Sequence, residues 1–275
     1  STSTQTLPSY IQDRPPTLRL TNARQYCRLY TTLYPNYKTT HIMLETLQNI
    51  DAEVFLFFNS AHCTFFDSFM SLYSGKFIWI PMYASLLLVM LGRFPLSKVL
   101  ILLVGVALSI TLADQICSSL IRPICERLRP SNPSNPLSEF VHIVNGYRGG
   151  AYGFPSCHAA NSFALAAFAA VMLRRRSFTL FIITWAIINC YSRIYLGVHY
   201  PGDLIVGALI GSAIGYVCCR CSCAAWQSLL NRGRLYDAKP VLANIPAYRR
   251  VMSDRLNLME IVGIFTIIAI ILASL

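Results

Sequence analysis

The chain has 275 residues, of which 55% are hydrophobic and only 13% are charged, and its mean hydropathy is +0.49. Because soluble domains carry about 25% charged residues, this composition excludes an ordinary soluble protein and predicts an integral membrane protein. The formal net charge is +11, but the basic residues are divided among several loops. That distribution is typical of loops that flank membrane spans, and it argues against nucleic acid as a partner.

The first part of the chain, residues 1–50, is mixed in polarity and contains several prolines. It does not show the charged start, apolar core and small-residue cleavage site of a secretory signal. We therefore expect three regions: a cytoplasmic extension over residues 1–50, a transmembrane catalytic core over residues 51–225, and a basic amphipathic stretch with a hydrophobic helix over residues 226–275.

Six apolar runs approach the roughly 20 residues that an α-helix needs to cross a bilayer. The predicted fold is therefore all-α, a polytopic bundle of about six transmembrane helices. An earlier run, residues 54–73, is interrupted by polar side chains and could be an interfacial helix or a first span. The six runs cover residues 77–92, 99–121, 159–173, 177–191, 203–219 and 259–275.

Basic residues in the connecting segments predict an orientation. If the runs alternate across the membrane, the basic clusters within residues 93–98, 174–176 and 220–250 fall on one side, which the positive-inside rule makes cytoplasmic. Residues 122–157 and 192–203 then lie on the opposite face. That face carries an excess of arginines that the rule does not predict and that a phosphate ligand would explain: Arg122, Arg127, Arg129 and Arg148.

The loop over residues 122–157 resembles a binding loop. Pro123 is expected to end a helix, and glycines between residues 146 and 153 let the backbone approach a ligand. Pro155-Ser156-Cys157-His158 then opens the next span, where the first backbone N–H groups can hold an anion. The structural alternative is an ordinary helix start with Ser156 as its N-cap.

A second polar segment places Arg193 six residues before His199 and Asp203 four residues after it. A neutral imidazole can attack phosphorus if a carboxylate fixes its tautomer, and a guanidinium can hold phosphate oxygens through forked hydrogen bonds. The pattern thus suggests phosphoryl transfer through His199. In the structural alternative, Arg193 is a cation at a helix end, His199 is a loop residue and Asp203 is an N-cap.

Taken together, these segments resemble the three-part signature of the type 2 phosphatidic acid phosphatase (PAP2) superfamily, written K-x6-RP, PSGH and SR-x5-H-x3-D. The resemblance covers residues 51–225, and the sequence around Tyr152 and Ser156 is most similar to bacterial members that dephosphorylate envelope lipids. The matched pieces are Arg122 with Arg129-Pro130, Pro155-Ser156-Cys157-His158, and Ser192-Arg193 with His199 and Asp203.

The resemblance implies a role for each matched residue. His199 would be the nucleophile that forms a phosphohistidine, Asp203 would orient it, and His158 would be the general acid that protonates the leaving oxygen. No metal or other cofactor is implied. The phosphate would be held by Arg122, Arg129, Ser156, Arg193 and a backbone amide near Cys157.

Two matched positions depart from the family pattern. Arg122 stands where lysine is usual, which keeps the charge but replaces a point charge by a planar fork. Cys157 stands where glycine is usual, which keeps the amide donor but adds a side chain. Neither departure removes a nucleophile or a proton-transfer group.

The function implied by the resemblance is metal-independent hydrolysis of a phosphate monoester or diphosphate on an envelope lipid. Lipid A, a polyprenyl diphosphate such as undecaprenyl diphosphate, and a glycerophospholipid phosphate all fit as the lipid partner. The expected location is the bacterial inner membrane, with the site facing the periplasm. Two other classes remain open: a metal-dependent hydrolase with His158, His199 and Asp203 as ligands, and a nonenzymatic transporter or scaffold.

Residues outside the signature receive structural interpretations. Four of the ten cysteines cluster between Cys218 and Cys223, and we interpret them as reduced apolar side chains, with a metal site as the alternative. His62 and His142 are expected to be interface or loop residues.

Overall fold

The computed structural model describes residues 35–235, 239, 240, 242, 245 and 258–275. Within these residues the fold is all-helical, which confirms the predicted class, and extended backbone pairs only in an isolated bridge between Leu128 and Tyr152. The helices are α1 (Pro35–Ser60), α2 (Thr64–Tyr73), α3 (Ile80–Arg93), α4 (Leu96–Gln115), α5 (Cys157–Leu173), α6 (Arg176–Tyr195), α7 (Pro201–Asn231) and α8 (Leu258–Ser274).

The predicted apolar runs coincide with α3 to α8, although the helix ends differ. By length and composition, three described helices can cross a membrane: α4 with its continuation to Cys125, α6, and α7. A fourth candidate is α2 together with Phe77–Arg93, a pair bent by 67°. Because α5 and α8 have only 17 residues each, the count of about six spans stays a prediction.

The helix that contains Pro123 continues past it, so the prediction that this proline ends a helix was wrong. A π-helical turn, Ile116–Ile121, extends α4, and a short α-helical turn, Arg122–Cys125, follows. Pro123 lies in the first turn of that last segment, a position where the missing N–H of proline costs little. Arg122 therefore lies near the end of the continuation of α4.

Helices α5 and α7 pack closely against each other. Three glycines of α7, spaced four residues apart, lie against backbone carbonyl oxygens of the facing helix, and a Cβ atom at any of them would collide there. Small residues at this spacing let two helix backbones approach closely. The glycines are Gly207, Gly211 and Gly215, and they face the carbonyls of Ser156, Ala160 and Ala164.

The largest apolar core lies among α3, α5, α6 and α8. Trp79 packs edge-to-face on Tyr73 and Trp185, with ring centroids 4.8 and 5.6 Å away, and its Nε1 donates to the carbonyl oxygen of Tyr73. Many large apolar side chains are exposed on the outside, among them Leu180 and Leu209. An apolar exterior around an apolar core is what a protein surrounded by lipid requires.

Residues 51–275 form one compact unit, and residues up to 50 form another. The three-region division predicted from the sequence stays a prediction. Much of the expected N-terminal extension (residues 1–34) and of the basic stretch before α8 (residues 246–257) lies outside the described residues.

Candidate active site

The three signature segments meet at one end of the bundle. The backbone N–H of Ser156, the N-cap of α5, donates to the carbonyl oxygen of Asp203 in the first turn of α7, at 3.0 Å. Arg122, at the end of the α4 continuation, donates through Nη2 to the carbonyl oxygen of Pro155, at 3.0 Å. Arg129 donates through Nη1 to the carbonyl oxygen of Val198, at 3.1 Å. Segments far apart in sequence thus form one site.

His199 lies in the loop between α6 and α7 and is only 2% exposed. Its Nε2 lies 3.0 Å from Nη1 of Arg129, and its Nδ1 lies 3.3 Å from Oδ2 of Asp203. Because a guanidinium can only donate, Nε2 accepts and the ring proton sits on Nδ1, where it is donated to the carboxylate. The lone pair of the imidazole therefore points toward Arg129.

The environment of His199 keeps its imidazole neutral. Burial lowers the pKa of His199 to about 4, the positive charges of Arg129 and Arg193 act in the same direction, and the hydrogen bond to Asp203 opposes them. The neutral form is the one that carries a free lone pair, as a nucleophile requires.

Asp203 is fully buried and makes three side-chain contacts. Besides its contact with His199, Oδ2 accepts the backbone N–H of Tyr200 at 3.1 Å, and Oδ1 accepts from Nη1 of Arg127 at 2.8 Å. The carboxylate therefore caps α7 and contacts the imidazole at the same time. The two interpretations of Asp203 from the sequence are compatible.

Arg127 and Asp51 also belong to the site. The sequence indicated Arg127 only as one of the excess arginines on this face, and Asp51 had no predicted role. Nη2 of Arg127 pairs with Asp51 at 2.7 Å, and the guanidinium lies 4.0 Å from the ring centroid of Tyr200. Asp51 also accepts the backbone N–H of Gly202 at 2.8 Å. For Asp51, the only signal in the sequence was its position as a charged residue next to an apolar run.

Three arginines of the signature belong to the candidate site: Arg129 contacts the imidazole, Arg193 acts on its pKa, and Arg122 contacts the start of α5. Burial, followed by the charges of the other two arginines, lowers the pKa of Arg129. None of them pairs with a carboxylate among the described residues. The Nε atoms of Arg122 and Arg193 are buried and have no hydrogen-bond partner in the part of the chain that the structure describes. Unpaired buried donors are costly, and an anion with several oxygens would satisfy them.

Arg193, near the end of α6, is also held by residues outside the signature segments. Its Nη1 donates to Oγ of Ser74 at 2.6 Å, and its guanidinium lies 5.9 Å from the ring centroid of Tyr147. The anchor comes from the residue that follows α2, so the bent pair of helices supports this cation.

The backbone packs tightly around the imidazole. A Cβ atom at Gly153 would lie 3.0 Å from Oδ2 of Asp203, 3.2 Å from Cγ of Arg129 and 3.4 Å from Nδ1 of His199. The N–H of Gly153 donates to the carbonyl oxygen of Arg127 at 2.9 Å. At Gly153 the backbone thus lies against the proposed catalytic pair, while the approach of the glycine-rich backbone to a ligand stays a prediction.

His158 lies in the first turn of α5, and its Nε2 is 3.2 Å from Oδ1 of Asn189. Because this amide oxygen accepts, Nε2 carries the ring proton and Nδ1 carries the lone pair. Ser156 is the N-cap of the same helix, and its Oγ accepts the N–H of Ala159 at 3.4 Å. The sequence predicted this cap.

A cavity of about 420 Å³ lies beside His158, between α3, α4 and α5. Its polar lining includes Lys76, His158 and Asn161, whereas most of its wall is apolar. The apolar lining includes Leu86, Met90, Leu103, Val106 and Leu165. A mostly apolar cavity with a few polar groups in its lining fits an amphipathic ligand.

Among the described residues, no group of three or more His, Cys, Asp or Glu side chains could hold a metal ion. The cluster from Cys218 to Cys223 lies within α7, where Cys219 is buried and Cys221 is exposed. His62 and His142 stack with their ring centroids 3.7 Å apart, and Nε2 of His142 lies 2.8 Å from Asp67.

Comparisons with known proteins give a family match and several similar proteins. The PAP2 superfamily model matches residues 98–227. The lipid A 4'-phosphatase of Bacteroides thetaiotaomicron is 54% identical over 175 residues, which are 64% of this chain and 78% of that protein. The lipid A 4'-phosphatase of Porphyromonas gingivalis is 34% identical over 173 residues, 63% of this chain and 73% of that protein. The crystal structure of Aquifex aeolicus LpxE aligns with a TM-score of 0.47 and 25% identity, over 61% of this chain and 93% of that chain.

Proposed function

Because this chain belongs to the PAP2 superfamily, we propose that its site transfers a phosphate from lipid A to water through a phosphohistidine on His199. The observation that carries the mechanism is the lone pair of His199 Nε2, which faces Arg129 at 3.0 Å. Arg129, Arg122 and Arg193 have no carboxylate partners among the described residues. A nucleophile within a cluster of cations is suited to an anionic electrophile, and phosphorus in a phosphate ester is one.

Substrate binding uses donors that have no partner among the described residues. The buried Nε–H groups of Arg122 and Arg193 and the guanidinium of Arg129 donate to the phosphate oxygens, and the first backbone amides of α5, near Cys157, contribute as a helix N-terminus. Ser156 positions those amides by capping the helix.

In the first chemical step, Nε2 of His199 attacks phosphorus, so that a P–N bond forms while the P–O bond to the lipid breaks. Asp203 stabilises the positive charge that develops on the imidazole and keeps the proton on Nδ1. His158 gives a proton to the departing lipid oxygen. Since Nε2 of His158 is engaged with Asn189, the donated proton comes from Nδ1, and the bound phosphate favours the doubly protonated ring that this requires.

In the second step, water attacks phosphorus and the P–N bond breaks. His158, which lost its proton in the first step, accepts one from the water. Inorganic phosphate leaves, and His199 regains its neutral form. No step requires a cofactor.

The lipid part of the substrate fits the cavity beside His158. Its apolar wall, which includes Leu86 and Leu165, can hold an acyl chain, and its lining includes the proposed acid, His158. Lipid A is favoured over a polyprenyl diphosphate or a glycerophospholipid phosphate because two relatives, at 54% and 34% identity, are lipid A 4'-phosphatases.

The protein is an integral membrane protein, and we place it in the bacterial inner membrane with its site toward the periplasm. The support is the positive-inside rule applied to the loops. An epitope tag inserted after Pro133 tests the orientation: antibody should bind it in intact spheroplasts. Binding only after permeabilisation would reverse the orientation.

The decisive experiment measures phosphate release from detergent-solubilised lipid A, polyprenyl diphosphate, phosphatidylglycerophosphate and phosphatidate, with a chelator present. We expect the native chain to act best on lipid A and His199→Ala to release no phosphate. Loss of native activity with the chelator would favour the metal-dependent alternative. No release from any lipid would favour the transporter or scaffold alternative.

A further inference from the structure

The two departures from the PAP2 signature contact each other. Nη2 of Arg122 lies 2.8 Å from Sγ of Cys157 and also donates to the carbonyl oxygen of Pro155 at 3.0 Å. A glycine at position 157 has no side chain to accept this hydrogen bond. The arginine and the cysteine, which come from different helices, therefore form one unit.

The thiol of Cys157 also contacts the backbone of α4. Sγ of Cys157 donates to the backbone carbonyl oxygen of Asp114 on α4, at 3.8 Å. Because the S–H points to this carbonyl, the sulfur lone pairs remain free to accept from Arg122. The sulfur thus links the body of α4 to the guanidinium at the end of its continuation.

The contacts of Nη2 with Pro155 and Cys157 leave other N–H groups of Arg122 available to a ligand. Its Nε is buried and has no hydrogen-bond partner among the described residues, so this N–H is directed at neither Pro155 nor Cys157. A planar guanidinium that is fixed at one nitrogen has a defined orientation for the rest of its donors. A lysine ammonium offers no such fixed plane.

We propose that Cys157 is a positioning residue for Arg122, and that its sulfur orients the guanidinium so that an N–H meets a phosphate oxygen of the substrate. The proposal rests on the proposed function, because it takes Arg122 as a phosphate ligand. It also explains why both positions depart from the signature: arginine in place of lysine needs an acceptor that glycine cannot supply.

A double-mutant cycle tests this coupling. Native chain, Cys157→Gly, Arg122→Lys and the double variant are compared by kcat and KM for lipid A and by the inhibition constant of inorganic phosphate. We expect Cys157→Gly to raise KM and the inhibition constant roughly 10-fold or more, because hydrogen bonds to charged groups are among the stronger ones. In the Arg122→Lys background, the same change should have an effect of less than about threefold, because the guanidinium is already absent.

Two further variants separate positioning from general damage. Cys157→Ser keeps an acceptor and should retain most of the phosphate affinity, whereas Cys157→Ala should resemble Cys157→Gly. Cys125→Ala is the matched control, because this cysteine is exposed on the same helix continuation, and it should behave like the native chain. Thermal unfolding in detergent identifies variants that fail to fold.

The outcomes distinguish this proposal from the proposed function. If the native chain releases no phosphate from any lipid, the proposed function fails. If the native chain is active but Cys157→Gly has the same effect in both backgrounds, or Cys157→Ser is as impaired as Cys157→Gly, the positioning role is overturned while the phosphatase activity stands.

Discussion

Nη1 of Arg129 lies 3.0 Å from Nε2 of His199. Because the guanidinium donates, it occupies the lone pair that we propose as the nucleophile. A phosphate that enters the site has to take over this hydrogen bond through one of its oxygens, which frees Nε2 for attack. Arg129 thus has two proposed roles: it holds the imidazole in the productive tautomer before binding, and it holds the phosphate afterwards.

Substitution of Arg129 should change both the rate and its pH dependence. We expect Arg129→Gln to lower kcat/KM roughly 100-fold or more, as for loss of a donor to a developing anion. The acid limb of the kcat/KM profile should also move to higher pH, because the charge of Arg129 lowers the pKa of His199. The measurement is the pH dependence of phosphate release.

Arg148→Gln is the control for that substitution. Arg148 belongs to the same loop, but its Nη1 donates to the backbone carbonyl of Ser131, away from the imidazole. It should keep near-native activity and an unshifted profile. A profile that is equally unshifted in Arg129→Gln would contradict the proposed contact.

We expect Asp203 to affect the rate of phosphate release, because it selects the tautomer of His199. In Asp203→Asn, the amide can donate to Nδ1 of His199, which moves the ring proton to Nε2 and removes the nucleophilic lone pair. We expect kcat to fall roughly 10³- to 10⁴-fold, by analogy with the loss of an orienting carboxylate in other histidine sites. Steady-state kinetics on a detergent-solubilised lipid measures this change.

Asp51→Asn is the control variant for Asp203→Asn. Asp51 shares Arg127 with Asp203, but the contacts of the imidazole do not include it. Its substitution should lower kcat by only about 10-fold, because the tautomer is preserved while the support from Arg127 weakens. Equal losses in the two variants would show that the ion pairs, and not the tautomer, determine the rate.

The contact between His199 and Asp203 could be predicted from the sequence because both residues flank a helix start. Pro201-Gly202 marks that start, and a spacing of four residues across it places the carboxylate next to the imidazole. The positions of the apolar helices followed from hydropathy in the same way. These features depend on local spacing and composition.

The contacts between helices could not be predicted in this way. Asp51 reaches Arg127 from α1, and Arg193 reaches Ser74 across the bundle, so both pairings depend on how helices pack. The π-helical turn that carries Arg122 past the expected break has no simple sequence signal. The signature therefore identified the residues of the candidate site, while their supporting partners became visible only in the structure.

The low pKa of His199 predicts that the free energy of unfolding depends on pH. Burial lowers the pKa to about 4 from an ordinary value near 6.5. Between these values the unfolded chain binds a proton at this residue and the folded chain does not, so the free energy of unfolding should fall as the pH decreases from 6.5 toward 4. The contribution is fully present above pH 6.5.

Thermal unfolding in detergent between pH 4.5 and 7 measures this effect. The native chain should lose more Tm over this range than His199→Gln, which lacks the titrating group. The same slope in both proteins would show that other groups account for the acid sensitivity.

His158 can be tested through the leaving group, because a general acid matters most when the departing oxygen is strongly basic. In His158→Gln we expect the loss of kcat to be much larger for an alkyl phosphate than for p-nitrophenyl phosphate, whose phenolate leaves without a proton. His199→Gln, which removes the nucleophile, should abolish activity on both substrates alike. If His158→Gln impaired both substrates equally, the imidazole would serve binding or packing through its contact with Asn189, and the proton for the lipid oxygen would have to come from another donor at the site.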